Sequence, residues 1–116
     1  MVYFKEGDNI TAVVSASMYT EGGATCVVLG PTMQKARAFK SDVAEIMANK
    51  TEHKNDIRHR SGGVLMCRTY HPLSEGFRGM SADAVFFLDS ANTDDHRRLS
   101  TRECVKQKGV FMEVRP

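Results

Sequence analysis

No apolar run in this sequence approaches the roughly 20 residues that a membrane-spanning helix needs. The N-terminus, MVYFKEGDNIT, lacks the long apolar stretch of a signal peptide, so an intracellular protein without a membrane partner is expected. Proline is scarce, with three residues, and glycine is modest, with nine, which argues against disorder, collagen-like repeats and low complexity. Neither sign of charge dominates: the formal net charge is +2, so no global field drives the chain onto nucleic acid. The three cysteines, Cys26, Cys67 and Cys104, are odd in number and far apart, which fits reduced thiols better than a disulfide framework. What remains is 116 residues, 41% apolar and 26% charged, enough for one domain over 1–116 around a single core.

Along the chain, strand and helix signals alternate without a linker or repeat. Val2-Tyr3-Phe4 is a short apolar strand candidate, followed by a polar turn, Lys5-Glu6-Gly7-Asp8. Asn9 to Tyr19 carries Ala12, Val13 and Ala16 near helical spacing, and Glu21-Gly22-Gly23 stops it. Ala24 to Leu29 is a continuous apolar run, the signature of a strand buried on both faces of a parallel sheet. Gly30-Pro31 breaks it, and Thr32 caps the clearest helix, Met33 to Asn49, with Ala36, Phe39, Val43, Ile46 and Met47 on one face and Lys35, Lys40, Asp42 and Glu45 elsewhere.

The polar middle holds a hairpin, Asp56–Arg60 and Val64–Arg68 about Ser61-Gly62-Gly63. Ala84 to Leu88 is a second uninterrupted strand ending at Asp89. Asp94 to Lys106 reads as a basic helix with acids first and cations last, ended by Lys108-Gly109, and Val110 to Val114 is the last strand. This alternation predicts an α/β fold of three layers: a mostly parallel sheet of about four or five strands, helices on both faces, and the hairpin.

In such sheets ligands bind at the carboxyl ends of the strands. The turn after Phe4, Gly30-Pro31-Thr32, Arg78-Gly79 and Asp89 fall there. An aspartate at that position either holds Mg²⁺ beside a phosphate or caps a turn. Lys and Arg cluster at Lys50, Lys54, Arg58 and Arg60, and again at Arg97, Arg98, Arg102, Lys106 and Lys108; each cluster is either a solvated face or a phosphate-binding patch. His53, His59, His71 and His96 with Cys67 and Cys104 show no zinc spacing, and a Cys67–His71 pair has no orienting acid.

The order Gly7-Asp8-Asn9-Ile10-Thr11-Ala12-Val13-Val14, then Val27-Val28-Leu29-Gly30-Pro31-Thr32, then the hairpin, then Phe77-Arg78-Gly79-Met80-Ser81-Ala82-Asp83 leading into the strand that ends at Asp89, is similar to the ATPase core of viral DNA-packaging terminase large subunits, and more broadly to RecA-like helicases and translocases. The resemblance spans nearly the whole chain. It implies a truncated RecA-like core in which the last strand lies between the first strand and the one ending at Asp89, leaving Val2–Phe4 at a sheet edge. Against the family, the chain starts on the strand before the phosphate loop and stops after the strand following the Walker B region, so neither the adenine-contacting segment nor a nuclease domain is expected in it.

The departures bear on chemistry. A phosphate loop needs close-approach glycines, a lysine on the β/γ-phosphates and a hydroxyl on Mg²⁺. The resemblance aligns Lys5, Gly7, Asn9 and Thr11 with that loop, but Asn9 stands where the family has lysine, and Ile10 where it has the hydroxyl. Thr11 substitutes only if the register slips. The resemblance makes Asp89 the metal aspartate, yet Ser90 follows it where the family has the water-activating glutamate, and serine is no base at neutral pH without a partner.

These losses point to a non-hydrolysing, terminase- or helicase-like module of viral or phage type, without a resident cofactor. It would act by binding nucleic acid through Arg58, Arg60, Arg97, Arg98 and Arg102, or a protein or second copy through the N-terminal edge strand. One alternative is a residual ATPase using ATP, Mg²⁺, Thr11 and Asp89. Another is a small inhibitory or structural protein that competes with an ATPase for its partners.

Overall fold

The structure, a computed structural model, describes residues 2–69, 81–88 and 105–115. Nine elements follow one another: β1 (Tyr3–Gly7), α1 (Asn9–Glu21), β2 (Thr25–Gly30), α2 (Met33–Ile46), β3 (Lys50–Glu52), β4 (Asp56–His59), β5 (Val64–Thr69), β6 (Ala82–Leu88) and β7 (Val105–Val114). The strands form one sheet in the order β1-β7-β6-β2-β5-β4-β3. The four pairings from β1 to β5 are parallel, and β5·β4 and β4·β3 are antiparallel. The chain is therefore an α/β protein with a mostly parallel sheet, of seven strands among the described residues.

The two uninterrupted apolar runs, β2 and β6, pair side by side near the middle of the sheet, Cys26 opposite Ala84 and Leu29 opposite Phe87. Their side chains alternate between two buried clusters, as the pleat requires. Cys26, Val28, Ala84, Phe86 and Leu88 face a cluster shared with Ala12, Val13 and Ala16 of α1 and Phe39 and Val43 of α2. Phe86 anchors this face, with ring centroids 6.5 Å from Tyr19 and 5.9 Å from Phe39. Val27, Leu29, Val85 and Phe87 turn to the other face, where Phe87 meets Phe111 at 5.8 Å.

Among the described residues both helices belong to the first cluster and neither to the second. The connections β1-α1-β2 and β2-α2-β5 advance in the same direction along the sheet, and connections of one hand that do so lie on one face.

Both helix starts are set by local chemistry. Asp8 caps α1, and Thr32 caps α2 by accepting the Lys35 N–H at 3.1 Å. The second helix ends at Ile46, three residues short of the expected Asn49, because Met47 turns extended at φ −99° and ψ 130°. Met47 is thereby buried and Ile46 left exposed, which corrects the expected apolar face at that residue. Lys40 departs more: expected on the solvent side, it is buried at 4% exposure.

The hairpin forms as expected between β4 and β5, with Arg58 opposite Val64. Its turn packs on α1, and a Cβ on Gly63 would lie 1.9 Å from the Thr20 carbonyl oxygen, so only glycine fits there. The three-residue β3, all exposed, has no counterpart in the sequence reading. The expected helix over Asp94–Lys106 lies mostly outside the described residues, but Val105 and Lys106 belong to β7. Val105 is buried in the second cluster, and β7 then bulges between its pairings to Ala82 and Ala84, with Lys108 at φ +69°. The strand β7 lies between β1 and β6, leaving β1 at the edge with Tyr3 and Phe4 exposed.

Candidate functional site

The expected phosphate loop is not built. Lys5, Glu6 and Gly7 are strand rather than turn, paired in register with Met112, Glu113 and Val114. A single residue, Asp8, separates β1 from α1, so Asn9 is the first helical residue and Thr11 lies in the first turn. The Asp8 Oδ1 atom accepts the Thr11 backbone N–H at 2.8 Å, and its carbonyl accepts the Ala12 N–H at 3.0 Å. That hydrogen bond from Thr11 holds the Asp8 carboxyl below its ordinary value, with the Arg115 charge contributing less. A carboxylate thus sits where a triphosphate would meet the helix N-terminus. Of the residues expected in the phosphate loop, Lys5 and Gly7 thus lie in β1, and Asn9 and Thr11 in the first turn of α1.

At the carboxyl ends of β6 and β7 there is nevertheless a hollow of about 290 Å³. Asn9, Lys35, Asp42 and Arg115 stand around it, over Phe39, Leu88 and Val114. The fold brings Asn9 and the end of β6 to one hollow, as strand ends in this architecture do. Asp89, the candidate metal ligand, and Ser90 follow Leu88 in sequence but lie outside the described residues. So do Arg78-Gly79, His71, His96 and Cys104.

The basic residues of the middle segment converge instead. Lys50 and His59 are cross-strand partners, as are Thr51 and Arg58, and the Arg60 N–H extends the ladder by donating to the Asn49 carbonyl at 2.9 Å. Asn49 takes a left-handed φ of 56°, a conformation asparagine tolerates better than most side chains, and so turns the chain from α2 into β3. The result is an open groove of about 480 Å³ lined by Asn49, Lys50, Thr51, Arg58, His59 and Arg60. Arg58 and Arg60, the two candidate nucleic-acid contacts in the described residues, both line it, as does Lys50, which sits across from His59 on the opposite face of the ribbon from Arg58. Lys54 does not line the groove. Arg97, Arg98 and Arg102 lie outside the described residues.

Two devices hold this groove in shape. The Lys50 ammonium donates to the Met47 carbonyl at 2.9 Å. Lys40, reaching from α2, donates to the carbonyls of His53 and Lys54 and pairs with Glu52 at 3.3 Å, fastening the β3–β4 turn to the helix. The role of Lys40 escaped the sequence reading because helical periodicity put it among the solvated charges. The parts played by Asn49 and His59 had no signal short of the hairpin geometry itself.

Both described cysteines are buried free thiols. Burial pushes each up to about 11, so neither is a thiolate nucleophile near neutral pH. Among the described residues no group of three or more His, Cys, Asp and Glu side chains is arranged to hold a metal, and no helix is long and apolar enough to cross a membrane. No protein-family model matches the chain, and no curated protein matches it.

Proposed function

We propose that this chain is a RecA-like, terminase- or helicase-like module of three layers that does not hydrolyse nucleotide and acts by binding a nucleic-acid or protein partner. The observation that carries the reading is the direct entry of β1 into α1 through Asp8, whose carboxylate takes the Thr11 N–H. An ATPase of this architecture needs a phosphate loop and a lysine at that junction. Here there is one linking residue, an aspartate, with Asn9 after it. Support for the kinship comes from the order β1-β7-β6-β2, with the last strand between the first and the one leading to Asp89.

The residual-ATPase alternative asks Thr11 to present its hydroxyl to a nucleotide-bound metal. Thr11 instead starts the helix beside Gly7 and donates its N–H to Asp8. The test is a phosphate-release assay with Mg²⁺ and ATP, with and without DNA. No turnover above buffer is expected, and turnover lost on Asp89→Ala overturns the proposal. Co-purification with an intact packaging or helicase ATPase, in the absence of any nucleic-acid affinity, favours the inhibitory reading instead.

A further inference from the structure

We infer that the groove between β3 and β4 binds the sugar-phosphate backbone of a nucleic acid, without reading its sequence. The inference deepens the reading above by naming the partner, and rests on it only for the statement that binding is what the module does.

The argument starts from charge. Three cations, Lys50, Arg58 and Arg60, line one open groove, and among the described residues no carboxylate lines it. Of the acids on these strands, Glu52 is engaged elsewhere, pairing with Lys40 at 3.3 Å; Asp56 pairs with Arg58 itself at 3.6 Å, but through one guanidinium nitrogen, and the Arg58 side chain keeps 64% of its surface in solvent. Lys50 donates to the Met47 carbonyl on the ribbon face opposite Arg58. The Arg58 and Arg60 guanidinium forks, two residues apart along the chain and beside the Thr51 hydroxyl, match the oxygens of successive phosphates, while Lys50, cross-strand from His59, lies on the opposite face of the ribbon and adds charge rather than a direct contact.

The lining also says what the groove does not take. Among the described residues it has no aliphatic side chain and no Phe, Tyr or Trp ring, so these offer neither an apolar anchor for a peptide nor a platform for stacked bases. A phosphodiester chain needs neither, because release of its counterions supplies the affinity and backbone contacts carry no sequence information. The groove lies on the outermost strand of the sheet, where a long polymer can lie across it without meeting another element of the sheet.

The experiment is fluorescence anisotropy with labelled DNA of two unrelated sequences, single-stranded and duplex, over a range of KCl. Wild type is compared with Arg58→Gln/Arg60→Gln and with Arg58→Lys/Arg60→Lys. Binding is expected to weaken as salt rises, equally for both sequences. The glutamine pair should flatten the log–log salt slope by about 1.5 to 2, while the lysine pair keeps it. Matching thermal melts for both variants establish that neither is unfolded. The inference is overturned if the glutamine pair binds like wild type, if neither DNA binds, or if poly-glutamate of matched charge binds as tightly as DNA. ATP turnover measured on the same samples bears on the earlier reading alone, so the two fail separately.

Discussion

The Asp8 carboxylate and the Thr11 amide are joined by a 2.8 Å hydrogen bond that closes the first turn of α1 directly on the end of β1. Replacing Asp8 by alanine removes the cap and should lower the melting temperature, whereas Asp8→Asn, which keeps an acceptor, should lower it less. Because the folded-state carboxyl lies below its ordinary value of 3.8, its stabilisation is present above that pH and disappears as pH falls through the lower folded value. The gap between wild type and Asp8→Ala should therefore shrink on acidification below 3.8; a gap that stays constant in thermal melts across that range would show that the charge is not the cause.

Lys40 carries the second prediction. Lys40→Ala leaves two backbone carbonyls and Glu52 without their buried cation, and should cost about 2 to 4 kcal/mol in denaturant unfolding. The loss should be local: amides of β3 and β4 should exchange faster by NMR, while those of β2 keep most of their protection. Weakened DNA binding should accompany it, since the groove loses its fastening to α2.

Gly63 meets the Thr20 carbonyl so closely that any side chain must push the hairpin turn off the end of α1. The Ser61 hydroxyl, which donates to the same carbonyl at 3.2 Å, would be displaced with it. Gly63→Ala is expected to destabilise by about 2 kcal/mol or more, and Ser61→Ala by about 1 kcal/mol. Chemical denaturation of the two variants should rank them in that order; the reverse order would mean that the turn relaxes freely.

The cysteines give a chemical test of burial. With both thiols pushed up to about 11, Cys26 and Cys67 should resist iodoacetamide in the native protein at mildly alkaline pH and react fully in denaturant. Mass spectrometry of the two peptides reads this directly. Native labelling of either residue at the rate of a free thiol would place it in solvent.

The parts of this fold legible in the sequence were those carried by long, one-sided patterns. The continuous apolar runs of β2 and β6 announced central parallel strands, and Thr32 announced the start of α2. The order expected from the resemblance put the last strand between the first and the one ending at Asp89, and β7 lies between β1 and β6. What escaped depended on contacts between residues distant in sequence. The residues Lys5-Glu6-Gly7 look like a turn, and only pairing with β7 makes them strand. The polar β3 carries no apolar alternation and exists through its ladder to β4. For the candidate site, a charge cluster in sequence named Arg58 and Arg60, but only the strand register sets Thr51 beside Arg58, puts Lys50 across from His59 and leaves Lys54 aside.

The register of the sheet also divides its assembly in time. From β3 to β5 every strand pairs with a neighbour in sequence, so this corner closes only short loops. The pairing of Tyr3 with Val110 joins opposite ends of the chain, and its loop-closure entropy must be offset before it gains a single bond. Refolding should therefore protect the amides of β4 before those of β1, and the groove-bearing corner should be standing while the first strand still awaits the last.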